Sequence, residues 1–295
     1  MTRSSLPRSR AKHSFVVRLL PCGASNSLCL RRLIALSAAM LLASSASFVG
    51  ATVYGDDERA RPEAMLTSRE VALYAATQMV VCEAPGSENH GAAGTIATDF
   101  MHGVTVAHVF YDTKLQRLHT PDECRLRVYD GAGKGLQLIR IARIRTLWDH
   151  EPRMLKNDLA MFELADRSEF IDRFLSLPKL PTSLNEGASV LVVAFHYDLK
   201  PAHTKRKTRG RVYSTLGTMD EGVPNIFHTD ADWVRLSSGG PIYNSSGALV
   251  GLVQGNSSPA GNTAARRFDS RNDFNRAIRL DARFLREYAE FVEGR

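Results

Sequence analysis

Short apolar or alternating segments separated by turn residues recur from about residue 79 onward, and this pattern constrains the fold more than any other feature. Each segment is short enough to be a β-strand, and Gly, Asn and other polar residues lie between them. Brief strands at such spacing are typical of an all-β barrel or sandwich. The sequence therefore predicts an all-β body. The predicted strands are 94–97, 103–106, 125–129, 136–144, 159–164, 189–195, 210–215, 225–228, 241–243 and 248–254.

A helix is predicted at each end of this β region. Thr67 followed by Glu70 fits a capping box, which opens a short helix through about Ala76. At the other end, apolar residues recur at helical spacing among charged ones, so an amphipathic helix is predicted over 281–292. Its apolar residues are Phe284, Leu285, Tyr288 and Phe291.

The formal net charge of +7 is concentrated at the N-terminus. The first 50 residues contain seven basic and no acidic side chains, and the remainder carries 31 of each. A balanced charge argues against nucleic acid as the partner of the folded region. The basic segment 205–211, interpreted as a loop, is the one place that favours a local anionic contact.

The N-terminal region has the features of an export signal. A basic stretch ends at Arg31 and Arg32, an apolar run follows over 33–42, and small residues over 43–51 offer two small-x-small cleavage sites. We therefore expect residues 1–51 to be a signal peptide and the protein to be periplasmic or secreted. The alternative is an uncleaved anchor over 33–51, just long enough to span a membrane. The charged residues 52–66 are predicted to be a linker.

The four cysteines divide between the leader and the folded region. Cys22 and Cys29 lie in the leader, so export would leave Cys82 and Cys124. A single pair in an oxidising compartment is a candidate disulfide, and two separate buried thiols are the alternative.

Three local patterns carry the chemistry. Gly103-Val-Thr-Val-Ala-His108 is an apolar strand that ends on a histidine, and Asp158 stands at the start of the buried run 159–164. Ser238 is followed by two glycines and a proline. Nucleophilic catalysis by a serine needs a nearby base and a carboxylate that orients the base, and the order His, Asp, Ser is one of the known orders for such a triad. Asp149 competes with Asp158, which we favour because the buried strand follows it directly.

The three segments resemble the Thr-Ala-Ala-His, Asp-Ile-Ala-Leu and Gly-Asp-Ser-Gly-Gly-Pro motifs of trypsin-like serine proteases. The likeness is closer to bacterial HtrA-type proteases, whose Gln-Thr-Asp-Ala-Ala run is similar to His228-Thr-Asp-Ala-Asp232. It extends over about residues 80–280. It implies a chymotrypsin-like fold of two antiparallel β-barrels, about 79–180 and 185–275, within a peptidase domain over 67–295.

The resemblance also assigns roles to individual residues. Ser238 is the implied nucleophile of a serine endopeptidase, His108 its base and Asp158 the group that orients the base. The backbone N–H groups of Leu236 and Ser238 are the implied oxyanion donors. The substrate is a peptide or protein, and no cofactor or metal is implied.

Several positions depart from the family pattern. Leu236 stands where glycine is usual, which favours a rival interpretation as a non-catalytic binding protein that retains the fold. Ser237 replaces the aspartate that pairs with a freed N-terminus in zymogen-type relatives. Asp232 lies at the position of the specificity-pocket floor in trypsin, but Trp233 beside it would crowd that pocket. We therefore expect cleavage after a small or medium apolar residue rather than after Arg or Lys.

Overall fold

The computed structural model describes the chain in eleven stretches. They are residues 59–60, 67–83, 90–111, 118–130, 133–147, 157–196, 198–199, 204–214, 225–234, 236–256 and 275–295. The leader, with its predicted signal peptide or membrane anchor, lies outside them, as does Asp149. Within these stretches, no helix combines the length and the apolar character needed to cross a membrane.

In the described part of the chain, twelve strands form two closed six-stranded antiparallel barrels, which confirms the two barrels that the family resemblance implies. The first barrel closes in the order β1-β2-β3-β6-β5-β4 and the second in the order β10-β11-β12-β9-β8-β7. The strands are β1 (Thr77–Cys82), β2 (His90–Ile96), β3 (His102–Thr105), β4 (Cys124–Tyr129), β5 (Gly135–Thr146), β6 (Ala160–Leu164), β7 (Ser189–Phe195), β8 (Lys205–Ser214), β9 (Ile226–Thr229), β10 (Pro241–Asn244), β11 (Leu249–Asn256) and β12 (Asn275–Arg279).

The two predicted helices are also present. Helix α1 spans Ser68–Ala76, and the Thr67 hydroxyl caps it by accepting from the Glu70 N–H at 3.1 Å. Helix α2 spans Ala282–Val292 and buries its apolar face in the largest hydrophobic cluster, which contains residues of both barrels. The Tyr288 hydroxyl on α2 donates to the Ala97 carbonyl of the first barrel at 2.9 Å. The C-terminal helix therefore packs against a core that the barrels share.

The interpretation of 205–211 as a loop is wrong. These residues are the first part of β8, which pairs with β7 from Phe195↔Lys205 to Ser189↔Arg211. Lys205, Arg206 and Lys207 are all buried, and long cationic side chains are seldom buried unless they are paired. The side chains of Lys205, Lys207 and Arg209 contact helix α1 and the start of β1, as described below.

The predicted pairing of Cys82 with Cys124 is confirmed. The two residues are direct partners across β1 and β4, their Cα atoms are 4.1 Å apart, and their sulfur atoms form a disulfide. The bond closes a segment with a sequence separation of 42 residues. It therefore links two neighbouring strands of the first barrel covalently.

Candidate active site

His108 and Asp158 meet at the end of the first barrel because their strands are neighbours. His108 lies in a 3₁₀ turn, Ala107–Phe110, directly after β3, and Asp158 lies just before β6. Since β3 and β6 pair up to Thr105↔Ala160, the segment after one strand lies beside the segment before the other. Asp158 accepts from the His108 ring Nδ1 at 2.8 Å and from the His108 backbone N–H at 2.9 Å. One carboxylate thus fixes both the ring and the backbone of the histidine.

The Asp158 contact determines the tautomer and the basicity of His108. Asp158 is buried, and its carboxylate accepts a hydrogen bond from Nδ1–H, so that Nε2 of the neutral ring is left as the acceptor. Burial alone lowers the pKa of His108, but the charge and the hydrogen bond of Asp158 outweigh burial and raise the pKa above the usual 6.5. The positive charge of Arg276 opposes the rise. The result is a ring that accepts a proton more readily than a free histidine.

Ser238 lies between the barrels. Its backbone carbonyl accepts from the Ala93 N–H of β2 at 2.6 Å, and its hydroxyl donates to the Gln254 carbonyl of β11 at 3.3 Å. Among the described residues no hydrogen bond joins Ser238 to His108. The Ser238 loop nevertheless contacts the strand that leads to His108: a Cβ added at Gly239 would lie 2.5 Å from Thr105 Oγ1, three residues before the histidine.

The backbone N–H groups at positions 236–238 differ in whether they donate a hydrogen bond within the protein. The Ser237 N–H donates to the Val234 carbonyl at 3.0 Å. Within the described part of the chain, neither the Leu236 N–H nor the Ser238 N–H has a protein acceptor. These two N–H groups, one on each side of Ser237, can therefore donate to an oxygen on which negative charge develops.

Leu236 adopts the backbone conformation that glycine would favour at this position. Its φ is 73°, in the left-handed region that costs an L-residue about 1–2 kcal/mol. The side chain is half-buried against an apolar cluster of Met79, Val81, Ala93, Tyr129 and Phe195. Leucine therefore keeps the glycine-like backbone here, and the apolar contacts of its side chain offset part of the strain.

Asp232 is buried in the second barrel, and its backbone N–H donates to Thr208 Oγ1 on β8. Its neighbour Trp233 is fully buried, and the indole N–H donates to the Gly255 carbonyl at 3.0 Å. Gly255 directly follows Gln254, which accepts from the Ser238 hydroxyl. The tryptophan thus fills space beneath the strand next to Ser238.

Sequence reasoning missed three further residues near the site: Gln254, Arg276 and His196. Gln254 ends a predicted strand, and only its backbone carbonyl is used at Ser238. Arg276 lies on β12, a strand that the sequence analysis did not predict. His196 contacts Ser237, as described below. None of the three carries a local sequence signal, because each reaches the site through the pairing of distant strands.

Two closed antiparallel barrels, a half-buried histidine bonded to a buried aspartate, and a serine loop between the barrels define the class of two-barrel serine peptidases. A model of the family described as Trypsin matches residues 69–275, so the chain belongs to the trypsin family. The fold also matches a structure of a Glu endopeptidase in complex with MPD, with a TM-score of 0.58 and 15% identity over 82% of this chain and 100% of that one. A structure of GrC matches with a TM-score of 0.56 and 15% identity, over 77% and 97%. No curated protein matches significantly. The closer likeness to HtrA-type proteases stays a prediction.

Proposed function

We propose that this chain is a serine endopeptidase whose triad consists of His108, Asp158 and Ser238. The observation that carries the proposal is the pair of hydrogen bonds from His108 to the buried Asp158. The hydroxyl of Ser238 attacks the scissile carbonyl carbon, and its proton passes to His108 Nε2. Asp158 stabilises the imidazolium that forms.

The developing oxyanion needs donors that are already oriented. The N–H groups of Leu236 and Ser238, which have no protein acceptor among the described residues, support a role as these oxyanion donors. The imidazolium then gives its proton to the leaving amine, and water hydrolyses the acyl-enzyme by the same base. The rival function, a non-catalytic binding protein, rests on the leucine at position 236, and its left-handed φ weakens that argument.

Labelling with a fluorophosphonate separates the two functions. The reagent reacts with a serine that a base activates, so we expect the wild-type protein to be labelled on Ser238. Ser238→Ala should abolish labelling, whereas Ser246→Ala, which removes an exposed hydroxyl in the turn between β10 and β11, should not. A folded wild-type protein that takes up no label would favour the binding protein.

The pH dependence of hydrolysis should follow the protonation of His108. The base acts only when neutral, and its pKa is raised by Asp158, so kcat/KM should rise with pH and reach half its maximum above pH 6.5. Since Arg276 lowers this pKa, Arg276→Gln should move the half-maximum to a higher pH. A half-maximum at or below pH 6.5, or a downward shift in the variant, would contradict the assignment.

We extend the proposal to export and to specificity. The leader over 1–51 is a cleaved export signal, and the Cys82–Cys124 disulfide is consistent with an oxidising compartment. N-terminal sequencing of protein from the membrane and soluble fractions tests cleavage against an anchor over 33–51. At the cleaved bond we propose a small or medium apolar residue, because Trp233 fills the space beside Asp232. A peptide-library profile with a strong Arg or Lys preference that Asp232→Ala removes would refute it.

A further inference from the structure

The segment before the first barrel is fixed to the second barrel along β8. Ala60 and Lys207 exchange two backbone hydrogen bonds of 2.8 and 3.1 Å. Lys207 and Arg209 both contact the buried carboxylate of Glu70 on α1, at 3.2 and 2.8 Å. The buried Lys205 ammonium donates to backbone carbonyls at the end of α1 and the start of β1. The basic residues of β8 are therefore a docking strip for the N-terminal segment.

Arg59, beside Ala60, places its guanidinium inside the protein. The side chain is only 3% exposed, and Nη1 donates to Asp198 Oδ1 at 2.8 Å, which balances the buried charge. The same Nη1 lies 3.3 Å from Nδ1 of the buried His196. A guanidinium has donors only, so His196 Nδ1 must be the acceptor. This contact therefore requires the tautomer of His196 whose Nδ1 carries no proton.

His196 in turn contacts the residue that precedes the nucleophile. Its Nδ1 lies 3.4 Å from the hydroxyl of Ser237, which is fully buried. The Ser237 hydroxyl has one proton, which the Phe195 carbonyl at the end of β7 accepts at 2.9 Å and which His196 Nδ1 shares at the longer distance. The hydroxyl oxygen accepts from the Val234 N–H. Ser237 is thus the point at which the serine loop is tied to β7 and to the Arg59–His196 pair.

The serine loop needs such ties because its conformation is strained. Leu236 has a positive φ, and a strained residue persists only where its surroundings hold it. The two N–H groups without a protein acceptor among the described residues, those of Leu236 and Ser238, lie on either side of Ser237. Contacts that fix Ser237 therefore also fix the distance between the N–H groups of Leu236 and Ser238.

We propose that Arg59 is a positioning residue that acts through His196 and Ser237 to hold the loop 236–240 with both N–H groups available. The inference rests on the proposed peptidase function and adds to it a dependence on the segment before the first barrel. The coupling uses an internal side chain, so it does not require a free N-terminus.

Kinetics of Arg59→Ala are the first test. If the loop loosens, kcat should fall about 10- to 100-fold, which is no more than the loss of one oxyanion donor costs. KM should change by about twofold or less. Arg59→Lys should recover part of the lost kcat, because an ammonium can still donate to Asp198 and His196. The matched control is Arg209→Ala, which removes an exposed arginine that also contacts the docked segment but not His196. It should keep the wild-type kcat.

Hydrogen exchange is the second test and needs no activity. In a Ser238→Ala background, the amides of Ser237, Gly239 and Gly240 are hydrogen-bonded and should exchange faster after Arg59→Ala, but not after Arg209→Ala. An inactive wild-type protein with this exchange pattern would refute the peptidase and support the positioning role. An active wild type whose Arg59→Ala variant keeps its kcat and its exchange rates would refute the positioning role alone. A lowered Tm with unchanged kcat and loop exchange would also overturn it, as a purely structural effect.

Discussion

Replacing His108 by alanine should lower kcat/KM by about 10⁴ or more while the fold persists. Among the described residues, His108 is the side-chain base that bonds to Asp158, and without it Ser238 must lose its proton to water. Since the two residues act as a unit, the double variant His108→Ala/Ser238→Ala should be about as slow as either single variant. Hydrolysis of a casein-type substrate, normalised to folded protein, measures both effects.

The first barrel contains a second His–Asp pair that serves as a matched control. His102 Nδ1 lies 2.8 Å from Asp99 Oδ2, the same distance as in the His108–Asp158 pair. The His102 ring packs edge-on against Phe291 of α2. We expect His102→Ala to change stability but to leave kcat/KM per folded molecule close to that of the wild type. If the His108 variant kept more than about a tenth of the wild-type rate, the triad assignment would be wrong.

Gly239→Ala should destabilise the protein by about 4 kcal/mol or more and abolish hydrolysis. Its φ of 77° costs alanine about 1 kcal/mol, as in any left-handed position. The added Cβ would also lie 2.0 Å from the Ala93 carbonyl and 2.5 Å from Thr105 Oγ1, both parts of the first barrel. Overpacking of this kind adds about 3 kcal/mol. The serine loop would have to move away from β2 and so away from His108.

Gly187→Ala separates the clash from the backbone strain. Gly187 has a φ of 78°, almost that of Gly239, but a Cβ there meets nothing within 4 Å. It should therefore cost only about 1 kcal/mol and leave hydrolysis unchanged. Urea unfolding of the two variants, with the rate of hydrolysis, gives the comparison. If the two variants lost the same amount of stability, the close approach of Gly239 to the first barrel would not contribute to the cost of Gly239→Ala.

The all-β body and the three proposed catalytic residues could be predicted from the sequence because both have local signatures, and the family resemblance added the two barrels. His108 and Asp158 flank apolar strands, and Ser238 stands in a run of small residues. The buried character of β8 could not be predicted in this way. Lys205 is buried because carbonyls at Tyr74 and Thr77 receive its ammonium, and those groups are about 130 residues away in the chain.

Strand β1 could not be predicted for a different reason. Every residue of β1 is buried, so its sequence lacks the alternation that marks a strand with one exposed face. The predicted linker 52–66 was interpreted from its charges, yet Arg59 within it is buried against Asp198 and His196. A charged residue contains no local information about a partner that only the tertiary fold supplies.

The packing of Leu236 has a consequence for how this site can change over generations. A leucine in a left-handed conformation is tolerated while its side chain has an apolar surface to cover, and here that surface includes Met79 and Tyr129, more than a hundred residues earlier. Mutations that shrink those side chains would be costly in this chain but close to neutral in a relative with glycine at the same position. Substitutions at the two distant sites are thus expected to be inherited in combination with the residue at 236.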